Sequence, residues 1–246
     1  MKITGDLHTH TTYSHGKATI EENIKRAIEL GLDRIVISDH GSGHYLYGVK
    51  RSRWMEMRRV IDGLRKRYTD IEILLGVEAN IIGRNGDIDV REDELQLYDV
   101  LYVGYHYSVI PYSIGDFFSL FLFNTIAKVI PNATLKRKVT EMNTKALLMA
   151  MDRYPITMIT HPGAKIPVDI QPIAKKAAEK GIILEINAHH GHLTREEIKV
   201  AMKYNVKFAI NSDSHNINTI GHVERGLKRA KDACVPIENI INVREE

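Results

Sequence analysis

Cysteine is almost absent from this chain, since Cys234 is the only one among 246 residues. No intramolecular disulfide can form, which is typical of proteins from reducing compartments, and we expect a cytoplasmic location. A structural zinc site built from several thiolates is excluded for the same reason. Cys234 falls late in a helical pattern, where we expect a buried side chain rather than a nucleophile.

Long hydrophobic runs are missing as well. The longest, Phe117 to Ile130, contains Asn124 and Lys128, and it is shorter than the ~20 residues that cross a bilayer. The N-terminal residues enter a strand-like pattern at once, so we expect no signal peptide. An excess of charge is also lacking, because 34 basic and 31 acidic residues leave a formal net charge of +3. Neither a membrane nor a nucleic acid is favoured as a partner.

Strand-like and helix-like segments alternate along the chain. The strand-like runs are rich in Ile, Val and Leu, as parallel strands buried on both faces are. They are Ile3–Leu7, Arg34–Ser38, Ile71–Val77, Val100–Gly104, Ile156–Thr160, Ile182–Asn187 and Lys207–Asn211. The helix-like segments are Ile20–Leu30, Ser52–Tyr68, Leu135–Arg153, Ile170–Glu179, Arg195–Tyr204 and His222–Ala233. The alternation predicts an α/β fold, a βα barrel of irregular form, as one domain over residues 1–246.

An apolar insertion near residues 108–140 interrupts this alternation after the fourth strand. Its most apolar part is Phe117–Phe123. It is interpreted either as a helix on the barrel exterior, as a lid over a site, or as a homo-oligomer contact through residues 117–130. We predict that Phe117–Phe123 is at least half buried, against the barrel or another subunit, because so apolar a cluster aggregates in water.

Metal-binding side chains follow the predicted strands. Barrel enzymes place their chemistry at the C-terminal ends of strands. In chain order these ends carry His8 and His10 with His15 in the next loop, then Asp39 and His40, Glu78, His106, His161, the less certain group Asn187, His189 and His190, and finally Asp213 and His215. The first and last pairs have i, i+2 spacing, which in a strand places both side chains on one face.

Nine of these residues form the predicted ligand set. They are His8, His10, His15, His40, Glu78, His106, His161, Asp213 and His215. Imidazole with carboxylate suits zinc, manganese or iron, and one tetrahedral ion needs only four ligands, so the set predicts two or three divalent ions. An isolated histidine such as His44 or His222 is more often a surface or core residue. Histidines converging at one barrel mouth would instead repel one another when protonated.

The chain resembles the PHP (polymerase and histidinol phosphatase) superfamily over nearly its full length. The motifs that carry the resemblance are Asp6-Leu7-His8-Thr9-His10, Ser38-Asp39-His40-Gly41, Gly76-Val77-Glu78-Ala79-Asn80, Gly104-Tyr105-His106, His161-Pro162-Gly163, Leu184-Glu185-Ile186-Asn187 and Ser212-Asp213-Ser214-His215. Glu78-Ala79-Asn80-Ile81 with Asn85-Gly86-Asp87-Ile88-Asp89 is most similar to the small stand-alone YcdX-type phosphatases.

The resemblance implies a distorted seven-stranded βα (TIM-like) barrel with a trinuclear site. One ion would be held by His8, His10, Glu78 and Asp213. A second would share Glu78 as a bridge with His106 and His161, and a third would be held by His15, His40 and His215. Glu78, Asp213 and His215 are the expected catalytic positions.

Three functions are compatible with these residues. The leading hypothesis is a phosphatase that hydrolyses a small-molecule phosphomonoester with a metal-bound hydroxide. Its expected phosphate contacts, in loops near the mouth, are Arg53, Arg84, Lys165 and His189. The alternatives are a 3′-5′ exonuclease or nucleotide phosphodiesterase, and a non-catalytic metal-binding assembly module.

Overall fold

A seven-stranded parallel sheet forms the centre of the computed structural model, which describes residues 1–245. Its strands pair in the order in which they occur along the chain, from β2 to β8. The strands are β1 (Lys2–Ile3), β2 (Gly5–Thr9), β3 (Arg34–Ile37), β4 (Glu72–Asn80), β5 (Val100–Gly104), β6 (Met158–Ile159), β7 (Ile183–Asn187), β8 (Phe208–Asn211) and β9 (Val243–Arg244). β1 and β9 form a separate antiparallel pair.

Helices connect successive strands of the sheet. They are α1 (Ile20–Glu29), α2 (Trp54–Arg67), the single turn α3 (Ile114–Asp116), α4 (Phe123–Val129), α5 (Ala133–Arg153), α6 (Ile170–Lys180), α7 (Arg195–Met202) and α8 (Glu224–Asp232). A π-helix, Phe117–Leu122, joins α3 to α4, and short 3₁₀ turns cover Arg51–Arg53, Glu92–Leu97, Ile217–Thr219 and Ile237–Asn239. In the described residues, no helix has the length and apolar character needed to cross a membrane.

The apolar core has two layers because strand side chains alternate between the two faces of the sheet. In β3, Ile35 and Ile37 belong to the large cluster between sheet and helices. Val36 belongs instead to a small inner cluster, where it packs with Tyr102 and Ala209. The inner cluster fills the barrel interior, so the centre of the sheet is packed rather than an open pore.

The barrel is nearly closed by a seam between β2 and β8. Thr9 forms a parallel bridge with Ser214. The side chain of Asn242 takes the place of further backbone bonds, since its Nδ2 donates to the carbonyl oxygens of Gly5 at 2.9 Å and Ile210 at 2.8 Å. The seam thus brings the first and last strand ends of the sheet together.

The predicted fold class is confirmed, and all seven predicted strands of the sheet are present. The largest difference is β6, which shrinks to Met158–Ile159, while β4 continues to Asn80. The expected burial of Cys234 is wrong, because α8 ends at Asp232 and Cys234 follows in an exposed turn with φ of +59°.

The insertion packs as a helical hairpin arm on the outside of the barrel. Leu120 is fully buried, and Asn124 exchanges two hydrogen bonds with Asn143 of α5, at 3.0 and 2.8 Å. Phe117 and Phe118 are each 47% exposed. The prediction of at least half burial is therefore confirmed, with α5 as the contact, and a homo-oligomer contact through residues 117–130 stays a prediction.

Candidate metal centre

The predicted ligands converge at the C-terminal ends of the strands, in a cleft of about 990 Å³. Seven of the nine line this cleft, namely His15, His40, Glu78, His106, His161, Asp213 and His215. His8 and His10 lie beneath them, with 0% and 1% of their surface exposed. The structure therefore brings all nine residues to one place.

The side chains expected around the first ion face one another closely. His8 Nε2 and His10 Nε2 are 3.2 Å apart. Glu78 Oε2 lies 3.4 Å from His8 Nε2 and 3.6 Å from His10 Nε2, and Asp213 Oδ1 lies 3.6 and 3.2 Å from the same two atoms. Ligands around a tetrahedral zinc ion at ~2.0–2.1 Å are ~3.3 Å apart, so this quartet has the separations of a metal site.

The other oxygen of Glu78 faces the side chains expected around the second ion. Oε1 lies 2.9 Å from His161 Nε2 and 3.3 Å from His106 Nε2, and these two nitrogens are 3.2 Å apart. His190 adjoins this group, with its Nε2 3.3 Å from Asp213 Oδ2. Glu78 and Asp213 therefore each present their two oxygens to different histidines, as bridging carboxylates do.

Four histidines form the third group. The coordinating atoms of His10, His15, His40 and His215 all lie within 4.8 Å of one another. The ring centroids of His15 and His215 are 4.1 Å apart. This group contains His10 in addition to the three predicted residues.

A tight loop after β2 returns His15 to the cluster. Asp39 holds the loop, because its carboxylate accepts from the Thr11 amide at 2.7 Å and from the Thr11 and Ser14 hydroxyls. A Cβ atom at Gly16 would lie 2.5 Å from the backbone carbonyl oxygen of His10, just after β2. Glycine is therefore required for the loop to fold back this closely.

Two of the expected ligands lie on unusual backbone. His161 has φ of +29° and Asp213 has φ of +54°. Both values lie in the left-handed region, which residues other than glycine rarely adopt. Asp213 and His215 thus approach from a loop beyond β8, not from a strand face as their spacing predicted. Such strain at functional sites is held by the surrounding structure.

Glu185 orients two histidines from below the cluster. Its Oε1 lies 2.8 Å from His8 Nδ1, and its Oε2 accepts from the backbone amide of His161 at 2.7 Å. The contact with Glu185 places an N–H of His8 at Nδ1, and Nε2 is the ring nitrogen that faces Glu78 and Asp213. The carboxylate is fully buried.

A second relay orients His106. Asp89 is buried and accepts from the Asn80 amide group Nδ2 at 2.5 Å and from the Gly43 backbone amide at 2.9 Å. Asn80 therefore turns its Oδ1 toward His106 Nδ1, at 2.7 Å. His106 must donate from Nδ1, which leaves its Nε2 free to coordinate.

Asp89→Asn tests this relay. The amide of the variant presents N–H groups to Asn80, which favours rotation of Asn80 and the wrong tautomer of His106. We expect metal affinity to fall by roughly 10- to 100-fold, measured by titrating the metal-free protein in chelator-buffered solutions. Asp93→Asn, an exposed change in the neighbouring 3₁₀ turn, is the control. An affinity within about twofold of the wild-type value would show that the relay has no such role.

The electrostatics of the cluster favour the coordinating forms of His106, His190 and Glu78, whereas His8 keeps a proton that a metal ion would displace. Burial lowers the pKa of both His106 and His190 to about 3, so these imidazoles are neutral. Burial opposes ionisation of Glu78, but its interactions with the adjacent imidazoles of His106 and His8 outweigh burial and hold the pKa of Glu78 well below its usual range. Burial likewise opposes the His8 cation, yet Glu185, Glu78 and Asp213 raise the pKa of His8 well above its usual value.

Several buried atoms of the cluster lack the partners that buried polar atoms require. Within residues 1–245, His10 Nδ1, His15 Nδ1, His40 Nδ1 and Glu78 Oε2 have no hydrogen-bond partner. Neutral imidazoles and anionic carboxylates are the forms that bind divalent metals, and binding would satisfy several of these atoms. The residues present therefore fit a group of two or three such ions.

Two of the four expected phosphate contacts lie at the cleft. Lys165 and His189 line it. Arg53 and Arg84 are not among its lining residues, contrary to expectation. Arg53 pairs with Glu56 at 3.1 Å, and the Arg84 side chain is over half exposed on the insertion side of the barrel.

Some residues of the site were not predicted. Lys17 and Arg225 line the cleft, and His44 is buried beside His40 with a ring separation of 5.0 Å. His190 belongs to the less certain group after the predicted strand Ile182–Asn187 and is not in the predicted ligand set. Glu185 carried a signal of its own, since a charged residue within an apolar strand is rarely buried without a partner.

Comparison with known proteins places these features in context. The model of the PHP domain family matches residues 6–189. A probable phosphatase of Clostridium acetobutylicum is 30% identical, over 100% of this chain and 93% of that protein. A probable phosphatase of Acetivibrio thermocellus is 28% identical over the same shares. The structure of histidinol phosphate phosphatase from Lactococcus lactis, in complex with zinc, L-histidinol and phosphate, superposes with a TM-score of 0.61 at 13% identity, covering 95% of this chain and 94% of that one.

Proposed function

This chain belongs to the PHP domain family, and we propose that it is a metal-dependent phosphatase that hydrolyses a phosphomonoester of a small molecule. One observation carries the proposal: nine imidazole and carboxylate side chains from the strand ends converge in one cleft. The relatives named as phosphatases align with the whole chain, which supports the same reaction class.

The ligands are proposed to act as three sets, on one domain spanning the chain. His8, His10, Glu78 and Asp213 hold the first ion, Glu78, His106 and His161 hold the second, and His15, His40 and His215 hold the third. When bound, such ions lower the pKa of coordinated water and neutralise charge on a phosphate group. Zinc, manganese and iron all suit this donor set.

The remaining cleft residues bind and orient the ester. Lys165 and His189 stand on one part of the wall, and Lys17 and Arg225 also line the cleft. The positive charges of Lys17, Lys165 and Arg225 and the N–H donors of all four side chains suit the non-bridging oxygens of a phosphate. His190, next to Asp213, is proposed as a further contact to the phosphate or the second ion, since burial keeps it neutral and able to coordinate.

The form of the cleft favours a small substrate. Its volume of about 990 Å³ lies at the upper end of the range of small-molecule sites. Glu78 and Asp213 are 0% and 3% exposed, so a phosphate must enter deeply to reach them. A terminal phosphomonoester can do so, whereas a phosphodiester within a polymer carries chain on both sides.

Phosphomonoesters are expected to be better substrates than single-stranded DNA. With Mn²⁺ or Zn²⁺ present, kcat/KM for small monoesters should exceed that for a DNA oligonucleotide by at least about tenfold, equal to ~1.4 kcal/mol in the barrier. The measurement compares a panel of monoesters, dinucleotides and the oligonucleotide under one metal condition.

The same panel separates the alternatives. If kcat/KM is higher for the oligonucleotide and falls steeply with salt, the exonuclease hypothesis is favoured over this proposal. Metal binding without turnover of any substrate would favour the assembly module.

A further inference from the structure

A second cleft adjoins the candidate metal centre. It measures about 630 Å³ and is lined by residues of α4, the first turn of α5 and the loop 163–167. We call it the insertion cleft. Tyr107 and Lys165 line both clefts, and the Tyr107 hydroxyl donates to the carbonyl oxygen of Lys165 at 2.5 Å. The two clefts therefore share a wall made by these residues.

The insertion cleft is strongly basic. Lys128, Lys136 and Lys165 line it, and no Asp or Glu does. In the described part of the chain, none of the three ammonium groups has a carboxylate within ion-pair distance, which is 4.0 Å. Lys128 instead places Nζ 5.3 Å from the centroid of the Tyr107 ring. Three unpaired cations from three separate segments attract an anion and repel a cation.

The rest of the lining is mainly small and apolar. Ala127, Val129, Ala164 and Pro167 contribute surface that a nonpolar group can cover. A ligand that satisfies the whole cleft therefore has an apolar part and an anionic end. The insertion supplies Lys128, Lys136 and in total six of the eleven residues that line the cleft, so the cleft depends on the segment that departs from the barrel pattern.

We propose that the insertion cleft binds the leaving group of the substrate, and that this group ends in a carboxylate or a phosphate beyond an apolar spacer. The proposal rests on the proposed function, because it takes the scissile phosphate to lie at the metal centre. The leaving group then passes Tyr107 and Lys165 into the insertion cleft. A leaving group that ends in an amine is disfavoured by the same lysines.

Phosphonates that cannot be hydrolysed test this proposal independently of turnover. Alkylphosphonates of increasing chain length are prepared with a terminal carboxylate, a second phosphonate in place of a phosphate, a primary amide or an amine, and their Kd values are measured calorimetrically at low ionic strength. At the best chain length, we expect one of the two anionic ends to bind about tenfold more tightly than the amide, and the amine to bind least tightly. The comparison of carboxylate with phosphate identifies the anion.

Substitution of the lysines assigns the preference to the cleft. The double variant Lys128→Met/Lys136→Met should bring the ratio of anion to amide affinity close to one, with little change for the amide. Lys138→Met, on α5 but not lining the cleft, should leave the ratio unchanged. A wild-type protein that binds the amide as tightly as both anions, a ratio unaltered in the double variant, or no binding of any phosphonate would each overturn the proposal.

The outcomes also separate the two proposals. Turnover of small monoesters without any preference for anionic phosphonates would retain the phosphatase and reject the anionic subsite. The preference without turnover of any monoester would retain the subsite and reject the phosphatase.

Discussion

Glu78→Gln is expected to abolish activity while leaving the fold intact. The Glu78 carboxylate faces His8 and His10 with one oxygen and His106 and His161 with the other, at 2.9 to 3.6 Å. Glutamine keeps the shape but offers one neutral oxygen, and its NH₂ group cannot coordinate. We expect kcat/KM to fall by at least ~10³-fold, or ~4 kcal/mol, and the number of bound ions to decrease.

The measurement combines steady-state kinetics with elemental analysis and near-ultraviolet circular dichroism. Glu179→Gln, an exposed change on α6, is the matched control and should have wild-type activity. Activity of Glu78→Gln within about tenfold of the wild-type value, with the metal still bound, would place the bridging carboxylate elsewhere. A variant with lost dichroism is replaced by Glu78→Asp, which keeps the charge but shortens the reach.

Removal of metal is expected to have the second largest effect. Two or three divalent ions per chain should copurify, because four overlapping groups of donors share the cleft. Dialysis against a chelator should abolish turnover and lower Tm, since ions at ~1,000 times their Kd stabilise the folded state by ~4 kcal/mol. Readdition of Mn²⁺ or Zn²⁺ should restore both.

Elemental analysis and thermal unfolding are measured on the same samples before and after removal of the metal. The control is dialysis against chelator already saturated with the metal, which should change neither turnover nor Tm. At most one ion per chain after supplementation would refute the polynuclear centre. The apparent affinity of the protein for the metal should decrease on acidification. The pKa of His8 is raised, so the metal must displace a proton from this side chain.

The sheet was predictable because its strands carry a strong local signal. Buried parallel strands are continuous apolar runs, and polar residues follow most of these runs at the barrel mouth. The strand order needed nothing more than the tendency of sequential βα units to lie side by side. The shortness of β6 was not predictable, since flanking apolar residues such as Ile156 pack in the core without pairing in the sheet.

The candidate site was predictable mainly for side chains that lie at or just beyond the end of a strand. His8, His10 and His106 do so, and their convergence follows from the barrel. The loop-borne residues depended on tertiary packing: Arg53 lies over the ring of Tyr13 at 4.2 Å instead of facing the cleft. The hydrogen-bonding partners below the cluster, such as Asp89, are distant in sequence from the histidines that they orient and have no local signature.

In the insertion, the apolar composition predicted burial of the segment but not which of its side chains are exposed. Its aromatic residues predicted burial, and Leu120 and Asn124 do lie against α5. In the π-helical turn Phe117–Leu122, the side chains of Phe117, Phe118 and Phe121 are only partly buried. A π-turn depends on i to i+5 bonds that sequence patterns rarely reveal.

The cluster can form only after β8 has been synthesised and has closed the seam with β2. Leu7 and Asn211, which meet across it, are 204 residues apart. At ~5–20 residues per second, the ribosome makes β8 roughly 10 to 40 seconds after β2. During that interval His8 and His10 have no Asp213 beside them, and closing so long a loop carries its entropic cost before any contact forms. Metal loading is therefore expected late in biosynthesis, and a bound ion would favour chains whose barrel has already closed.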